Sequence, residues 1–306
     1  MKKITKILHY VKVFEDGGVE EFIRSLGGQE GKDIFLEDSR IYRFFYKEFL
    51  NYSTVFCFHN FSSPLKIFLG HLAGRALIFI HTDLERHLSI SKKFIAYPWL
   101  VFLSLIGIRI LYFSNNNFIK NFCLRSIKLK YITSGNHKAI EIKGSKKKII
   151  FVGRWSPEKN FLELFEVVNH LEGNNFELLV YGNFPQTIID KCASQKIKFM
   201  GYEDDKDKIY VSNAILVVPS IYESGPLVAI EALERGLPVI TRQVGIFKDF
   251  TISNEFGVVS VYDSKKQLKR LIQSFIDLDH YATRENVIFL ENITVTSEKF
   301  INDYIY

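Results

Sequence analysis

Cysteine is scarce. Cys57, Cys123 and Cys192 are the only three in 306 residues, odd in number and far apart. That excludes a disulfide framework and a cysteine-rich zinc site. Long apolar runs are missing too. The stretch FIAYPWLVFLSLIGI, 94–108, is uncharged but has only fifteen residues, against the ~18–20 that a bilayer-spanning helix needs. The start, MKKITKILHY, carries lysines but no apolar segment of signal-peptide length, so a reducing, cytoplasmic setting is expected. There is no internal repeat, no low-complexity tract, and no G-x-S-x-G or Ser-His-Asp arrangement. A hydrophobic fraction of 47% with 24% charged residues rules out disorder and a collagen-like or coiled-coil rod.

What is present is an unevenly charged α/β pattern. At roughly 150 residues per domain, the length predicts two domains. Residues 1–148 hold 24 Lys and Arg against 12 Asp and Glu, whereas 149–306 hold 16 against 22. Most of the basic excess lies in 84–148, with 13 basic and 2 acidic residues. Charge segregated in this way marks a face that meets something anionic: nucleic acid, an acidic substrate or a membrane surface.

Short β-branched and aromatic runs read as strands at 7–14, 54–59, 76–81, 108–114 and 128–134, and again at 148–153, 176–182, 197–201, 214–220, 237–241 and 257–261. Helical patterns fall between them, at 19–26, 64–74, 157–171, 226–235 and 264–277. Strands that are apolar throughout and separated by helices predict parallel sheets covered on both faces, hence two doubly wound α/β domains. The polar segment GSKKK, 144–148, suggests a boundary, giving domains 1–146 and 147–282 and a last helix over 283–306.

Three segments carry chemistry. In PSIYESGPLVAIEALERGLPVIT, 219–241, a buried strand runs through a short loop into a helix opening at Pro226, a favoured first residue. Such a helix start offers N–H groups to an anion. Glu223 and Glu231 flank it, and carboxylates beside a phosphate site are suited to neutral hydroxyl partners, such as those of a sugar and a ribose. Equally, Glu223 could be a loop carboxylate favoured by the helix dipole and Glu231 a surface charge. In FVGRWSPEKNF, 151–161, Arg154 and Lys159 follow a strand ending in Gly153, where two cations can clamp a diphosphate. In DGGVEEF, 16–22, Gly17 and Gly18 form a strand–helix turn that lets backbone approach a phosphate.

Together these segments resemble the GT-B glycosyltransferases, specifically the retaining family 4 (group 1). The resemblance rests on Val152-Gly153-Arg154, Glu158-Lys159-Asn160, strands ending at Gly182 and Gly201, and Pro219, Ser220, Glu223, Glu231, Ala232, Gly236, Pro238 and Val239. It is close over about 150–262 and looser over 1–148, where it rests on Gly17-Gly18-Val19, His81 and Ser114. It implies two Rossmann-like domains facing across a cleft, an acceptor-side first domain, a donor-binding second domain, and a C-terminal helix returning to the first. It also implies catalytic roles for Glu223, His81, Arg154 and Lys159. The donor site would comprise Gly17, Gly18, Arg154, Lys159, Gly201, Tyr202, Glu223, Ser224, Gly225, Pro226, Leu227 and Glu231. No cofactor or metal is implied, only a nucleotide-diphosphate sugar as co-substrate. The acceptor would be a growing glycan or lipid-linked oligosaccharide of bacterial surface polysaccharide (lipopolysaccharide, O-antigen or capsule) at the inner face of the cell membrane. The sequence departs from the family at Ser224, where a glycine is common.

Other signals compete. Asp205-Lys206-Asp207 satisfies a D-x-D metal pattern, but acidic residues also favour helix starts. The stretch 94–108, flanked by Lys92, Lys93 and Arg109, reads either as a buried helix or as one lying in a membrane interface. The other histidines, His9 and His59 among them, fit no metal or nucleophile spacing and read as structural. A nucleotide-sugar epimerase and a basic nucleic-acid-binding module are the alternative functions. The E-x₇-E element speaks against the first, and the lack of any nucleic-acid motif against the second.

Overall fold

The computed structural model describes residues 6–11, 18–26, 34–36, 54–59, 64–73, 75–81, 88–113, 117–144, 146–223 and 225–305. Gly17, Ser114 and Ser224 lie outside them. The chain divides into two units, 1–132 with 295–306, and 133–294.

The first unit contains β1 (Lys6–Val11), α1 (Gly18–Ser25), β2 (Ile34–Leu36), β3 (Thr54–His59), α2 (Pro64–Ala73), β4 (Arg75–Ile80), α3 (Ile90–Leu105), β5 (Arg109–Tyr112), α4 (Asn117–Phe122) and β6 (Ser126–Lys128). A further strand, β7 (Tyr131–Thr133), spans the change of unit. Its six-stranded sheet runs β2-β1-β3-β4-β5-β6, with every neighbouring pair parallel. Every residue of β3 is buried, as expected of a strand covered on both faces.

The second unit contains β8 (Ile140–Lys143), β9 (Lys147–Val152), α5 (Phe161–Asn169), β10 (Phe176–Tyr181), α6 (Gln186–Cys192), β11 (Ile197–Gly201), α7 (Lys206–Ile209), β12 (Ala214–Val218), α8 (Leu227–Glu234), β13 (Val239–Arg242), β14 (Val259–Tyr262), α9 (Lys265–Asp277), β15 (His280–Thr283) and α10 (Glu285–Ile293). Its parallel sheet runs β11-β10-β9-β12-β13-β14. Counted from β9 this is the order 3-2-1-4-5-6, so the sheet reverses direction of growth between β9 and β12. That crevice, at the carboxyl ends of the strands, is where doubly wound sheets bind ligands.

Two features differ from the sequence reading. The units change at residue 132/133, upstream of GSKKK, because β8 pairs antiparallel with β15 and so belongs to the second unit. Residues 283–306 are not one helix. After α10 come a strand, β16 (Thr294–Thr296), and a short helix, α11 (Ser297–Phe300). The β-branched run Thr294-Val295-Thr296 breaks the helical pattern. From Val295 onward the chain belongs to the first unit, where Phe300 is fully buried against Phe22, ring centroids 5.5 Å apart.

The stretch 94–108 is half core. In α3, Ala96, Leu100, Leu103 and Ser104 are buried. Ile90, Phe94, Ile95, Trp99, Phe102 and Leu105 are exposed, as are Phe122 and Leu124 after it. Among the described residues no helix is long and apolar enough to cross a membrane.

Candidate active site

The loops after β9 and β12 lie side by side because these strands are parallel neighbours. After β9 the chain passes Gly153 and Arg154, makes a single 3₁₀ turn, Pro157–Lys159, and enters α5 through Asn160. Asn160 adopts the left-handed conformation (φ 52°), which asparagine tolerates better than most residues. After β12 the buried Ser220 leads into the loop that carries Glu223. Two hydrogen bonds stitch the loops together. The Ile221 N–H donates to the Glu158 carbonyl at 2.9 Å, and Asn160 Nδ2 donates to the Pro219 carbonyl at 3.3 Å.

This stitching brings Lys159 and Glu223 into contact. Lys159 Nζ donates to Glu223 Oε1, which also accepts from Ser220 Oγ at 3.1 Å. Both charged side chains are largely shielded, 24% and 15% exposed. Arg154 stands apart from the pair, 71% exposed and 3.2 Å from Glu158. The Glu158 carboxyl is held below its usual value, first by a hydrogen bond from its own backbone N–H and further by Arg154.

Backbone geometry at this edge is restrictive. Gly182, which follows β10, has φ +129°, and a Cβ there would lie 2.1 Å from the Gly153 carbonyl oxygen. Only glycine fits so close an approach. Gly201 ends β11, and Tyr202 follows it, at the same sheet edge, beyond β10, and the Gly201 carbonyl accepts from the Gly182 N–H at 2.8 Å.

Helix α8 begins at Leu227, with Pro226 just before it rather than inside it. Its first N–H groups have no intrahelical acceptor, as at any helix start. Gly225 and Pro226 are pressed by the turn after β13: a Cβ on Gly245 would meet Gly225 Cα and N and Pro226 Cδ, each at 3.0 Å. Glu231, one turn further along α8, sits elsewhere in the crevice. Tyr210 Oη donates to its Oε2 at 2.6 Å, and Lys206 Nζ lies 3.1 Å from its Oε1. Burial, reinforced by the Glu231 charge, pushes the Tyr210 phenol well above its usual value.

The sequence reading missed a buried network beneath these loops. Glu163 Oε2 accepts from Asn160 Nδ2 at 2.5 Å and from Arg242 Nη2 at 2.5 Å. Arg242 also lies over the Tyr262 ring, 5.1 Å from its centroid. The network joins α5 to the ends of β13 and β14. Glu163 on the core face of an amphipathic helix was the only signal available in the sequence.

The D-x-D residues serve structure. Asp205 accepts from the Asp207 N–H at 3.0 Å as a helix cap, and Asp207 accepts from Arg235 Nε at 3.0 Å. Among the described residues no group of three His, Cys, Asp or Glu side chains could hold a metal ion.

In the first unit, Gly18 opens α1 and His81 directly follows β4. His81 Nε2 is 2.8 Å from His59 Nδ1. Burial, aided by the charge His9 would carry, depresses the His81 pKa to about 3. His59 is depressed well below its usual value by burial first, then by its histidine neighbours.

The sequence profile of the family described as glycosyl transferases group 1 matches residues 134–288, half of the chain. The chain belongs to the glycosyl transferases of group 1. The match spans both loops of the crevice. Across 136 residues this group 1 chain is 25% identical to an uncharacterized 41.2 kDa protein in the cps region of Klebsiella pneumoniae, over 44% of this chain and 38% of that protein. The chain's matches span only 34–38% of the length of its curated relatives. Among solved structures, Anabaena Alr3699/HepE in complex with UDP and glucose superposes with a TM-score of 0.67 at 12% identity, covering 98% of this chain and 95% of that one. The lipopolysaccharide outer core galactosyltransferase WaaB superposes with a TM-score of 0.67 at 14% identity, covering 98% and 99%. The fold is thus the GT-B fold of these glycosyltransferases.

Proposed function

We propose that this chain is a retaining glycosyltransferase of family 4 that moves a sugar from a uridine-diphosphate sugar to a growing, lipid-linked glycan of bacterial surface polysaccharide. The observation that carries the reading is the joining of the two loops at the β9/β12 reversal, with Lys159 and Glu223 in contact. Lys159 Nζ has three donors, so it can hold Glu223 and a β-phosphate oxygen together. Arg154, exposed on the same loop as Lys159, adds a second cation for the diphosphate. The Gly225 N–H and the first amides of α8 from Leu227 onward, on either side of Pro226, supply further donors. Glu223 then accepts from hydroxyls of the donor sugar. Glu231 retains lone pairs for ribose hydroxyls beside those used by Tyr210 and Lys206. Gly201 and Tyr202 border the base and sugar, and His81 is read as a contact to a sugar hydroxyl.

In the reaction the bond from the sugar anomeric carbon to the β-phosphate oxygen breaks. The acceptor hydroxyl oxygen bonds to that carbon on the same face, and its proton passes to the leaving phosphate. Cationic side chains and helix amides aimed at that phosphate stabilise the charge as it develops, so no metal is needed. The relative from a cps region and the fold of an outer core galactosyltransferase support a surface-glycan acceptor. The apolar face of α3 with its basic flank supports docking on the inner face of the cell membrane, and no nucleic acid takes part.

The test is thermal shift against UDP, GDP, dTDP and their sugars. The expected result is stabilisation by UDP and by one UDP-sugar, since a ligand that binds only the folded state raises the melting temperature. No shift with any nucleotide at 1,000-fold excess would refute the reading.

A further inference from the structure

Three histidines of the first unit form a line. His9 Nδ1 is 3.0 Å from His59 Nε2, and His59 Nδ1 is 2.8 Å from His81 Nε2. Sheet register creates the line. His9 on β1 is opposite Cys57 on β3, and His59 is two residues beyond Cys57. His59 is opposite Phe79 on β4, and His81 is two residues beyond Phe79. Side chains alternate faces along a strand, so all three imidazoles stand on one face of the sheet, on β1, at the end of β3 and just beyond β4. Their centroids are 5.2 and 5.1 Å apart, close to the strand spacing, with ring planes 32° and 24° apart. Each centroid separation exceeds its N···N distance by about two ring radii, so the rings meet edge to edge. Phe22 from α1, Phe79 and Phe113 pack around them. His9 and His59 are each 2% exposed.

A neutral imidazole has one donor and one acceptor nitrogen. His59 spends both on its two neighbours, so its proton decides theirs. In one arrangement His9 Nδ1–H donates to His59 Nε2, His59 Nδ1–H donates to His81 Nε2, and His81 carries its proton on Nδ1. In the other, His81 Nε2–H donates to His59 Nδ1, His59 Nε2–H donates to His9 Nδ1, and His81 Nδ1 is an acceptor. Each ring keeps one proton in both arrangements, and no net charge appears. Burial favours these neutral forms.

We propose that His9, His59 and His81 act as one tautomer-coupled relay, in which His59 is the positioning residue that sets whether His81 Nδ1 donates or accepts. A histidine that meets a sugar hydroxyl must present one polarity, and the relay selects it from within the sheet. The catalytic consequence rests on the reading of His81 as a donor-sugar contact; the coupling of the three rings does not.

The test uses the full chain labelled with ¹⁵N-histidine, with ring nitrogens read by long-range proton–nitrogen correlation at pH 7. The wild type should show three neutral rings, each in a single tautomer. His59→Phe, which keeps an aromatic ring but removes both hydrogen bonds, should change the His81 tautomer pattern. It should also lower kcat on the UDP-sugar found by thermal shift at least roughly tenfold, the scale of an orienting partner, with KM nearly unchanged. His59→Asn, which can restore a partner to His81, should recover part of that loss. Should His59→Phe fail to fold, His9→Phe is the second variant. It removes the hydrogen bond at the far end of the line, and it too should shift the His81 pattern. A charged His59 at pH 7, or a His81 pattern unmoved by these variants, overturns the proposal. If His81→Ala keeps full turnover while the tautomer coupling is observed, the catalytic reading of His81 fails and the relay stands.

Discussion

Replacing Glu223 by glutamine should separate two effects that the structure ties together. The Glu223 carboxylate holds Lys159 and accepts from Ser220. Glutamine keeps the shape but removes the charge. A charged hydrogen bond in a shielded site contributes about 1.5–3 kcal/mol, so loss of the contact to the donor sugar should slow transfer roughly tenfold to a hundredfold. The nucleotide should respond in the opposite direction. Lys159 loses its competing carboxylate, and the diphosphate no longer faces a nearby negative charge. At the effective dielectric of a half-shielded site, removing one like charge is a gain on the order of 1 kcal/mol, or about fivefold in affinity. The assays are calorimetric titration with UDP and release of UDP from the UDP-sugar found by thermal shift. A folded Glu223→Gln protein that binds UDP more weakly and turns over at the wild-type rate would falsify the placement of Glu223 beside both sugar and diphosphate.

Arg154→Ala and Lys159→Ala should each weaken UDP binding far more than uridine binding, and EDTA should leave turnover nearly unchanged; equal losses for the two ligands, or strict dependence on Mn²⁺, would reject the cation clamp. Arg242→Met should lower stability by about 3 kcal/mol in urea melts, because Glu163 is left buried and uncompensated, while Glu163→Leu with Arg242→Met should recover most of it. An unaltered urea midpoint for Arg242→Met would show that the network does not hold the loops. His59 and His81 have folded-state pKa values below the unfolded value of 6.5, so the unfolded chain binds more protons as pH falls. Stability should therefore be full above about pH 6.5 and decline below it, and His59→Phe should flatten that decline; a slope of opposite sign would contradict neutral, buried rings. In liposome flotation the protein should follow anionic but not neutral vesicles, with binding reduced by salt, by Lys92→Glu with Lys93→Glu, and by Phe94→Ser with Trp99→Ser. Recovery in the unbound fraction on anionic vesicles at low salt would leave the apolar face of α3 without a membrane role.

Much of this protein was legible in one dimension. Runs that are buried on both faces, such as 54–59 and 214–218, carry their own strand signal, because β-branched and aromatic residues in short blocks between helices have few other stable arrangements. The pairing of a strand end with a helix start also survives in the sequence, as at Gly153 to Lys159 and Pro219 to Leu227, since turns need particular residues at particular places. The strands that escaped were short and polar or alternating, such as β8 and β15, whose existence depends on a partner about 140 residues away.

Tertiary structure alone decided which side chains meet. The order β11-β10-β9-β12-β13-β14 puts Lys159 beside Glu223 and sets Glu231 among Tyr210 and Lys206. No spacing in the sequence encodes which strand neighbours which. The same holds for Glu163 with Arg242, and for the three histidines, which looked unrelated at positions 9, 59 and 81. A one-residue slip in the register of β3 would turn His59 to the opposite face and break the line. The sequence by itself determined the elements and the chemical character of their ends. The contacts between those ends exist only because folding fixes strand order and register, which many distant residues set together.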